Sequence, residues 1–362
     1  MHAAEPILAR ATAETKPVRT LVVDDSVVVR TVIERILNAH GGFPVVHKTN
    51  SAEQALAFLR GQPVDLVLLD IELPGLSGLA ALPEILRANP AGKVVILSGN
   101  CDAGSAIAVE ALALGASEIM SKPGSGSFGE QFPVALIERL SRLFDTAPAS
   151  VAEPTPPALP PIAPAPATQA IACLGIGAST GGIHALSQLF EGMRAPLGVP
   201  ILVTQHLPAS FTVYFAQQLG RMTSLPVRVA EPGDLILPDT VYVAPGDASL
   251  RCRRGLQGRV TIQLDPERTP AGNLPGVDPM FASMAQAYGA GAAAIVLTGM
   301  GRDGTVGARS IVEAGGWVIA QDEASSVVWG MPGSVAGGGL STALMHPSTM
   351  MDYVARRGGV NG

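Results

Sequence analysis

The sequence predicts an α/β protein of two doubly wound domains, the second mostly parallel with an antiparallel insertion. Three observations carry that expectation. Before residue 145, short apolar runs alternate five times with helix-like stretches, the pattern of parallel strands covered on both faces. From Asp145 to Ala170 the chain reads DTAPASVAEPTPPALPPIAPAPATQA; it is almost free of the large apolar residues a core needs, and its prolines favour extended, semi-rigid conformations. After it the strand–helix alternation resumes. The expected organisation is an N-terminal tail over 1–18, a first domain over 19–145, a linker over 146–169, a second domain over 170–357 and a C-terminal tail over 358–362.

In the first domain the strands are TLVVD, FPVVHK, DLVLLD, KVVILS and SEIMS. The helices are VVVRTVIERILNAH, AEQALAFLR, AALPEILRAN, SAIAVEALALG and PVALIERLSRLF. The second domain opens with the strand AIACLGIG and continues through VPILVTQ, the helix FTVYFAQQLGRM and PVRVAE. Between Leu235 and Leu264, LILPDTVYVAP, ASLRCRR and GRVTIQL read as short strands with turns, an antiparallel addition to the sheet. Parallel character returns with GAAAIVLTG, the helix DGTVGARSIVEAG and the strand WVIAQ.

Composition excludes several function classes. The 362 residues are 47% hydrophobic and 15% charged, enough for two cores. A net charge of −6 argues against a nucleic-acid partner, whose phosphates demand a basic surface. No run approaches the ~18 apolar residues of a membrane span, and no basic amphipathic helix suggests a surface anchor. The first residues, with Glu5 and Glu14, lack the apolar centre of a secretory signal. Cys101, Cys173 and Cys252 form neither a disulfide framework nor a metal-site spacing. The expectation is a cytoplasmic monomer without direct membrane insertion.

Ligands of open parallel sheets gather at the carboxyl ends of strands. In the first domain those ends carry Asp24 and Asp25, then Asp70, Ser98 and Lys122. Any one of these aspartates could simply cap a helix. Converging carboxylates repel unless a hard cation such as Mg²⁺ sits among them, and a lysine and a hydroxyl beside them could hold phosphoryl oxygens, with Asp70 as nucleophile. On VVDDS, LLDIELPG, ILSG and MSKP, residues 20 to 144 resemble the receiver domain of two-component response regulators. The resemblance implies a flavodoxin-like sheet of order 2-1-3-4-5 and phosphorylation at Asp70. It also implies Mg²⁺ held by Asp25, Asp70 and the backbone carbonyl of Glu72 with Asp24 alongside, and phosphoryl contacts from Ser98 and Lys122. Ile119 stands three residues before Lys122, where many receivers carry an aromatic switch residue.

The second domain opens on GIGASTGGIHAL. As a dinucleotide fingerprint it fails, because the third glycine position is Thr180 and the second strand ends in QHLP rather than an acid. As a nucleophile elbow it succeeds: Gly177-Ala178-Ser179-Thr180-Gly181 satisfies G-x-S-x-G between a strand and a helix. Ser179 could instead be a plain helix cap. His206 ends the next strand and is the candidate base, with His184, inside the following helix, a weaker one. Asp303, after AAAIVL, is the candidate orienting acid, although it could merely cap the helix that starts at Gly304.

On IGASTGG, TQHLPASFT, PGVDPMF, LTGMGRDG, GGWVIAQDE and GMPGSV, residues 171 to 343 resemble the catalytic domain of the chemotaxis-specific protein-glutamate methylesterases. The resemblance implies a Rossmann-like sheet and hydrolysis of glutamate γ-methyl esters, with glutamine deamidation, on methyl-accepting chemotaxis receptors. It implies a Ser179–His206–Asp303 triad, backbone oxyanion donors with Met300 the matching position, Thr180 as support, and no cofactor for the hydrolase. A chemotaxis histidine kinase would supply the phosphoryl group. Arg302 stands where the family often has Asn. Two alternatives stay open: a receiver with a purely binding output domain, and the same hydrolase acting on a receptor array outside chemotaxis. A receiver on a hinge beside a hydrolase also leads us to expect that the unphosphorylated receiver blocks the elbow.

Overall fold

The computed structural model describes residues 16–99, 105–122, 131–144 and 170–358. The linker over 146–169, Cys101 and most of both expected tails lie outside them. The contacts divide the chain into two compact units. No helix among the described residues is long and apolar enough to cross a membrane.

The five N-terminal strands are β1 (Thr20–Val23), β2 (Val45–Thr49), β3 (Leu66–Asp70), β4 (Lys93–Ser98) and β5 (Glu118–Ser121). They pair in parallel in the order β2-β1-β3-β4-β5, as expected. β1 and β3 are buried along their whole length, which is why they read as unbroken apolar runs. Between the strands run α1 (Val27–His40), α2 (Ala52–Leu59), α3 (Gly78–Ala88) and α4 (Ser105–Ala113), and α5 (Gln131–Phe144) follows β5. Ser26, Ser51 and Ser77 cap α1, α2 and α3, each accepting a backbone N–H from the first turn. The connections leave β1 and β3 in opposite directions across the sheet. Their adjacent carboxyl ends therefore form the crevice in which such sheets bind ligands.

The second sheet contains β6 (Cys173–Ala178), β7 (Ile201–Gln205), β8 (Val227–Val229), β9 (Val241–Val243), β12 (Ala292–Val296), β13 (Trp317–Gln321) and β14 (Ala343–Met345). Its order is β14-β13-β12-β6-β7-β9-β8, with every pairing parallel. The expected antiparallel insertion is present within residues 249–265, but VYV, read as part of it, is not. VYV is β9 and lies parallel to both neighbours, because residues 230–240 are enough chain to bring it back to the starting end of the sheet. The antiparallel pair β10 (Ser249–Arg254) and β11 (Val260–Asp265) forms a separate two-stranded sheet.

The helices of this unit are α6 (Gly182–Glu191), α7 (Ala209–Met222), α8 (Val277–Tyr288), α9 (Thr305–Glu313), α10 (Gly330–Gly337) and α11 (Pro347–Arg357). They bury both faces of the sheet. Leu186, Phe190, Phe215 and Met350 pack on one side, and Met280, Phe281, Ile311 and Val335 on the other. The crevice of this sheet falls between β6 and β12, where the connections again diverge.

Candidate functional site

Ser179 follows β6, and three glycines shape its turn. Gly181 caps α6 at φ 75°, a left-handed conformation that suits glycine. A Cβ on Gly177 would stand 2.4 Å from Val277, and one on Gly299 would stand 2.7 Å from the Ser179 Cβ. The elbow is thus clamped between α8 and the loop after β12, and only glycines admit that packing. The Ser179 N–H donates to the Thr298 carbonyl (3.0 Å), and the Ser179 carbonyl accepts from Gly182 N–H (2.8 Å). Among the described residues the hydroxyl of half-buried Ser179 makes no hydrogen bond, so Ser179 is not a side-chain cap of α6.

His206 directly follows β7. Its backbone N–H donates to the Ala178 carbonyl (3.0 Å), which continues the β6–β7 ladder one residue beyond the strand. Its Nε2 lies 2.8 Å from Asp303 Oδ2, with the imidazole partly exposed and the carboxylate buried. The imidazole Nε2–H donates to the carboxylate, which leaves the Nδ1 lone pair as the available base. No hydrogen bond joins His206 to the Ser179 hydroxyl, although both sit at neighbouring strand ends. His184, on α6, has its Nε2 3.1 Å from the Gln188 amide and bonds to none of the three.

Asp303 is the most heavily bonded carboxylate of the site. Besides His206, its Oδ2 accepts from Val277 N–H (2.8 Å), and its Oδ1 accepts from Asp278 N–H (3.0 Å) and Gly304 N–H (2.9 Å). Gly304 alone is what the capping alternative anticipated; the N-terminus of α8 is additional. Burial acts to raise the Asp303 carboxyl, but the His206 bond and the α8 N–H groups prevail and hold it below the usual carboxylate range. The helix end at which it sits favours negative charge.

Three further residues build the site without having been singled out in the sequence. Thr298 Oγ1 lies 3.0 Å from the Thr180 carbonyl and 3.1 Å from the Val328 carbonyl, and its backbone N–H donates to Gln321 Oε1 (2.8 Å). Asp278 accepts from Gly307 N–H (2.7 Å) at the start of α9. Burial and the nearby Asp303 charge outweigh that bond and push the Asp278 carboxyl up to about 6. Gln205 ends β7 and bridges Ser179 and His206. Each is a polar residue beside a strand or helix end, a place where polar residues are common; only tertiary contact marks them out.

Met300 is exposed and follows Gly299 on the loop over the elbow. Among the described residues the backbone N–H groups of Met300 and Thr180 donate to no protein acceptor. Arg302 donates from Nε to Ser334 Oγ (3.3 Å), so its side chain reaches α10. Cys173 and Cys252 are free and buried, and burial pushes the Cys252 thiol up to about 12.

The first sheet gathers its acids as expected. Asp24, Asp25 and Asp70 each present a carboxylate oxygen within 4.8 Å of the others. Asp24 Oδ1 accepts from Ser26 N–H (2.9 Å) and Asp70 Oδ1 from Glu72 N–H (3.1 Å). The Oδ2 atoms of both face Lys122 Nζ, at 2.7 and 2.6 Å. Apart from that ammonium, these two buried oxygens have no partner among the described residues. Burial raises the Asp70 carboxyl, with Asp24 adding and Lys122 opposing. Burial acts to lower Lys122, but its bonds to the two acids prevail and raise it. Three clustered oxygen donors, two of them buried and short of partners, fit a hard divalent cation such as Mg²⁺. Ser98 lies buried at the end of β4, and its carbonyl accepts from Lys122 N–H (2.7 Å), which fixes the lysine beside it. A Cβ on Gly78 would stand 1.9 Å from the Asp70 carbonyl oxygen, so α3 can start this close to the acid only with glycine there. Ile119, at the switch position, is half-buried on β5.

Comparison with known proteins matches each of the two units to a family. The family described as "CheB methylesterase" matches residues 174–354 and "Response regulator receiver domain" matches residues 20–127. The chain is 39% identical over 346 residues to a Caulobacter vibrioides protein named protein-glutamate methylesterase/protein-glutamine glutaminase 2, covering 94% of this chain and 98% of the relative. It is 38% identical over 369 residues to a Rhodospirillum rubrum protein named protein-glutamate methylesterase/protein-glutamine glutaminase 1, covering 94% and 95%. Among solved structures, the Thermotoga maritima CheB methylesterase catalytic domain shares 34% identity at a TM-score of 0.49, covering 51% of this chain and 98% of that one.

Proposed function

The chain belongs to the CheB methylesterase family, and from that premise we propose how a protein-glutamate methylesterase and protein-glutamine glutaminase with a receiver domain works in this sequence. Residues 19–145 act as the phosphoacceptor domain and residues 170–357 as the hydrolase, joined by the linker over 146–169. The substrates are glutamate γ-methyl esters and glutamines on the cytoplasmic helices of chemotaxis receptors, and the enzyme works on them as a cytoplasmic monomer.

The observation that carries the catalytic half is the 2.8 Å contact of His206 Nε2 with Asp303 Oδ2 beside the Ser179 elbow. Ser179 Oγ attacks the side-chain carbonyl carbon while its proton passes to His206 Nδ1. Asp303, held by four donors, keeps Nε2 protonated and stabilises the imidazolium that forms. The N–H groups of Met300 and Thr180 receive the oxyanion, whose stabilisation is a large part of acyl-transfer catalysis. The intermediate collapses with cleavage of the bond to methoxide or amide, and His206 returns the proton to release methanol or ammonia. Water then attacks the acyl-enzyme, giving its proton to His206, and glutamate leaves as Ser179 is regenerated.

In the receiver, Asp70 accepts the phosphoryl group from a chemotaxis histidine kinase. Mg²⁺, when bound by Asp24, Asp25, Asp70 and the Glu72 carbonyl, supplies charge neutralisation for the phosphoryl oxygens. Lys122 and the Ser98 hydroxyl contact those oxygens. The acyl phosphate adds roughly −1.5 to −2 charges, by analogy with other phosphoryl modifications, and raises the hydrolase rate.

The test is methanol release from membranes carrying methylated receptors, with ammonia release from receptor glutamines followed in parallel. The parent protein is expected to release both and Ser179→Ala neither. A phosphorylated protein that releases neither from any receptor would favour a binding-only output domain.

A further inference from the structure

We infer that Gln205 is a positioning residue for the hydrolase, a single buried amide that fixes the nucleophile and the base together. The inference rests on the assignment of Ser179 and His206 above. Gln205 is the last residue of β7 and is 5% exposed. Its register partner on β6 is Ala178, so its side chain starts level with the residue before the nucleophile. Its Nε2 donates to the Ser179 carbonyl at 2.8 Å and to the His206 carbonyl at 3.4 Å. Both acceptors are carbonyl oxygens, so only the amide nitrogen can face them, and the orientation of the group is determined.

The opposite end of the amide is enclosed as well. Gln205 Oε1 is buried and has no hydrogen-bond donor among the described residues. A buried acceptor without a partner is destabilising, and an apolar side chain of the same shape would avoid it. The room for Oε1 comes from Gly182, where a Cβ would stand 2.3 Å from that oxygen. The two glycines after Thr180 therefore do different jobs. Gly181 carries the left-handed turn, and Gly182 makes space for the amide.

The mechanical consequence falls on Ser179. Its carbonyl is held by Gln205 on one side and by Gly182 N–H on the other, while its N–H is held by Thr298. With both flanking peptide groups fixed, the direction of its Cα–Cβ bond is fixed as well. The same amide restrains the His206 carbonyl. Because the Ser179 hydroxyl and the imidazole share no hydrogen bond in the resting site, their approach depends on the two backbones. An error of about 1 Å in such a placement costs on the order of 100-fold in rate.

The experiment uses the full chain and a fluorophosphonate, which forms an Oγ–P bond at an activated serine with loss of fluoride and of the hydroxyl proton. Labelling stoichiometry at saturation counts intact sites, and the rate constant reports how well each site is arranged. Gln205→Met is expected to label to the full stoichiometry at Ser179 but about 10- to 100-fold more slowly, with kcat for methanol release reduced by the same factor and KM unchanged. In Gln205→Glu, a protonated carboxyl can donate to one of the two carbonyls and a carboxylate to neither. Its labelling rate relative to the parent is therefore expected to rise as pH falls. An unchanged rate per labelled site in Gln205→Met, or a loss confined to stoichiometry, would overturn the inference. If Gln205→Met does not fold, a flat pH dependence of the Gln205→Glu ratio overturns it. Equal labelling of the parent and Ser179→Ala strikes the hydrolase assignment instead, and so is distinguishable.

Discussion

Asp70 ends β3 and Asp303 lies on the loop between β12 and α9, and each stands beside the point where a parallel sheet reverses its winding. Their electrostatic surroundings are opposite. Asp303 accepts four hydrogen bonds and is held below the usual carboxylate range. Asp70 accepts one backbone N–H, shares the Lys122 ammonium with Asp24, and is pushed upward by burial. A carboxylate whose oxygens are all engaged is suited to orient a neighbour and unsuited to chemistry of its own. One with an oxygen backed only by a movable ammonium can attack, bind a cation and change charge. The fold supplies the place, and the donors around it decide the role.

Removing the nucleophile has the largest expected effect. Ser179→Ala is expected to reduce methanol release by about 10⁴-fold or more, read as initial rates on methylated receptor membranes. Asp303→Asn should follow, with kcat down about 10²- to 10⁴-fold, because the amide no longer fixes the imidazole tautomer. A loss below tenfold would mean that the four-donor carboxylate is structural only. Asp70→Asn should leave the unstimulated rate within about twofold while abolishing the response to a phosphodonor, since Asp70 is given no part in the hydrolytic site. A response that survives would place the phosphoacceptor elsewhere.

The smallest effect separates two neighbouring acids by sign. Asp303 is lowered, so its contribution to stability is present above the ordinary carboxyl value of about 3.9 and is lost as pH falls through its folded value. Asp278, raised to about 6, contributes stability below the unfolded value that is lost as pH rises through about 6. Between pH 7.5 and 5, the parent should therefore gain thermal midpoint relative to Asp278→Asn by about one or two degrees, the partial exposure of the group keeping the change small. A parent that instead loses ground over this window would contradict the direction assigned to Asp278.

The sequence made legible whatever depends on position along one strand. Asp24, Asp25, Asp70, Ser98 and Lys122 end or follow four strands, Ser179 and His206 follow two more and Asp303 lies on the loop after a seventh, so the apolar runs gave their neighbourhood while the motifs and the family resemblance gave their roles. It did not disclose that the antiparallel pair lies outside the main sheet, because a three-residue strand such as Val241–Val243 is too short for its pattern to reveal its direction. Nor could it show that α8 donates to Asp303, since Val277 and Asp278 reach it only through tertiary packing. Thr298 and Gln205 were hidden for the same reason. Their importance lies in which carbonyls they meet, and polar residues at strand ends are otherwise ordinary.

In the proposed mechanism Asp303 orients the base while Asp70 takes up charge to set the rate. The most direct measurement is methanol release with and without acetyl phosphate and Mg²⁺, in the parent, Asp303→Asn and Asp70→Asn. The expected result is a stimulated parent, an Asp303→Asn protein slow in both conditions, and an Asp70→Asn protein with an ordinary basal rate and no stimulation. Stimulation retained in Asp70→Asn, or a basal rate untouched in Asp303→Asn, would contradict it.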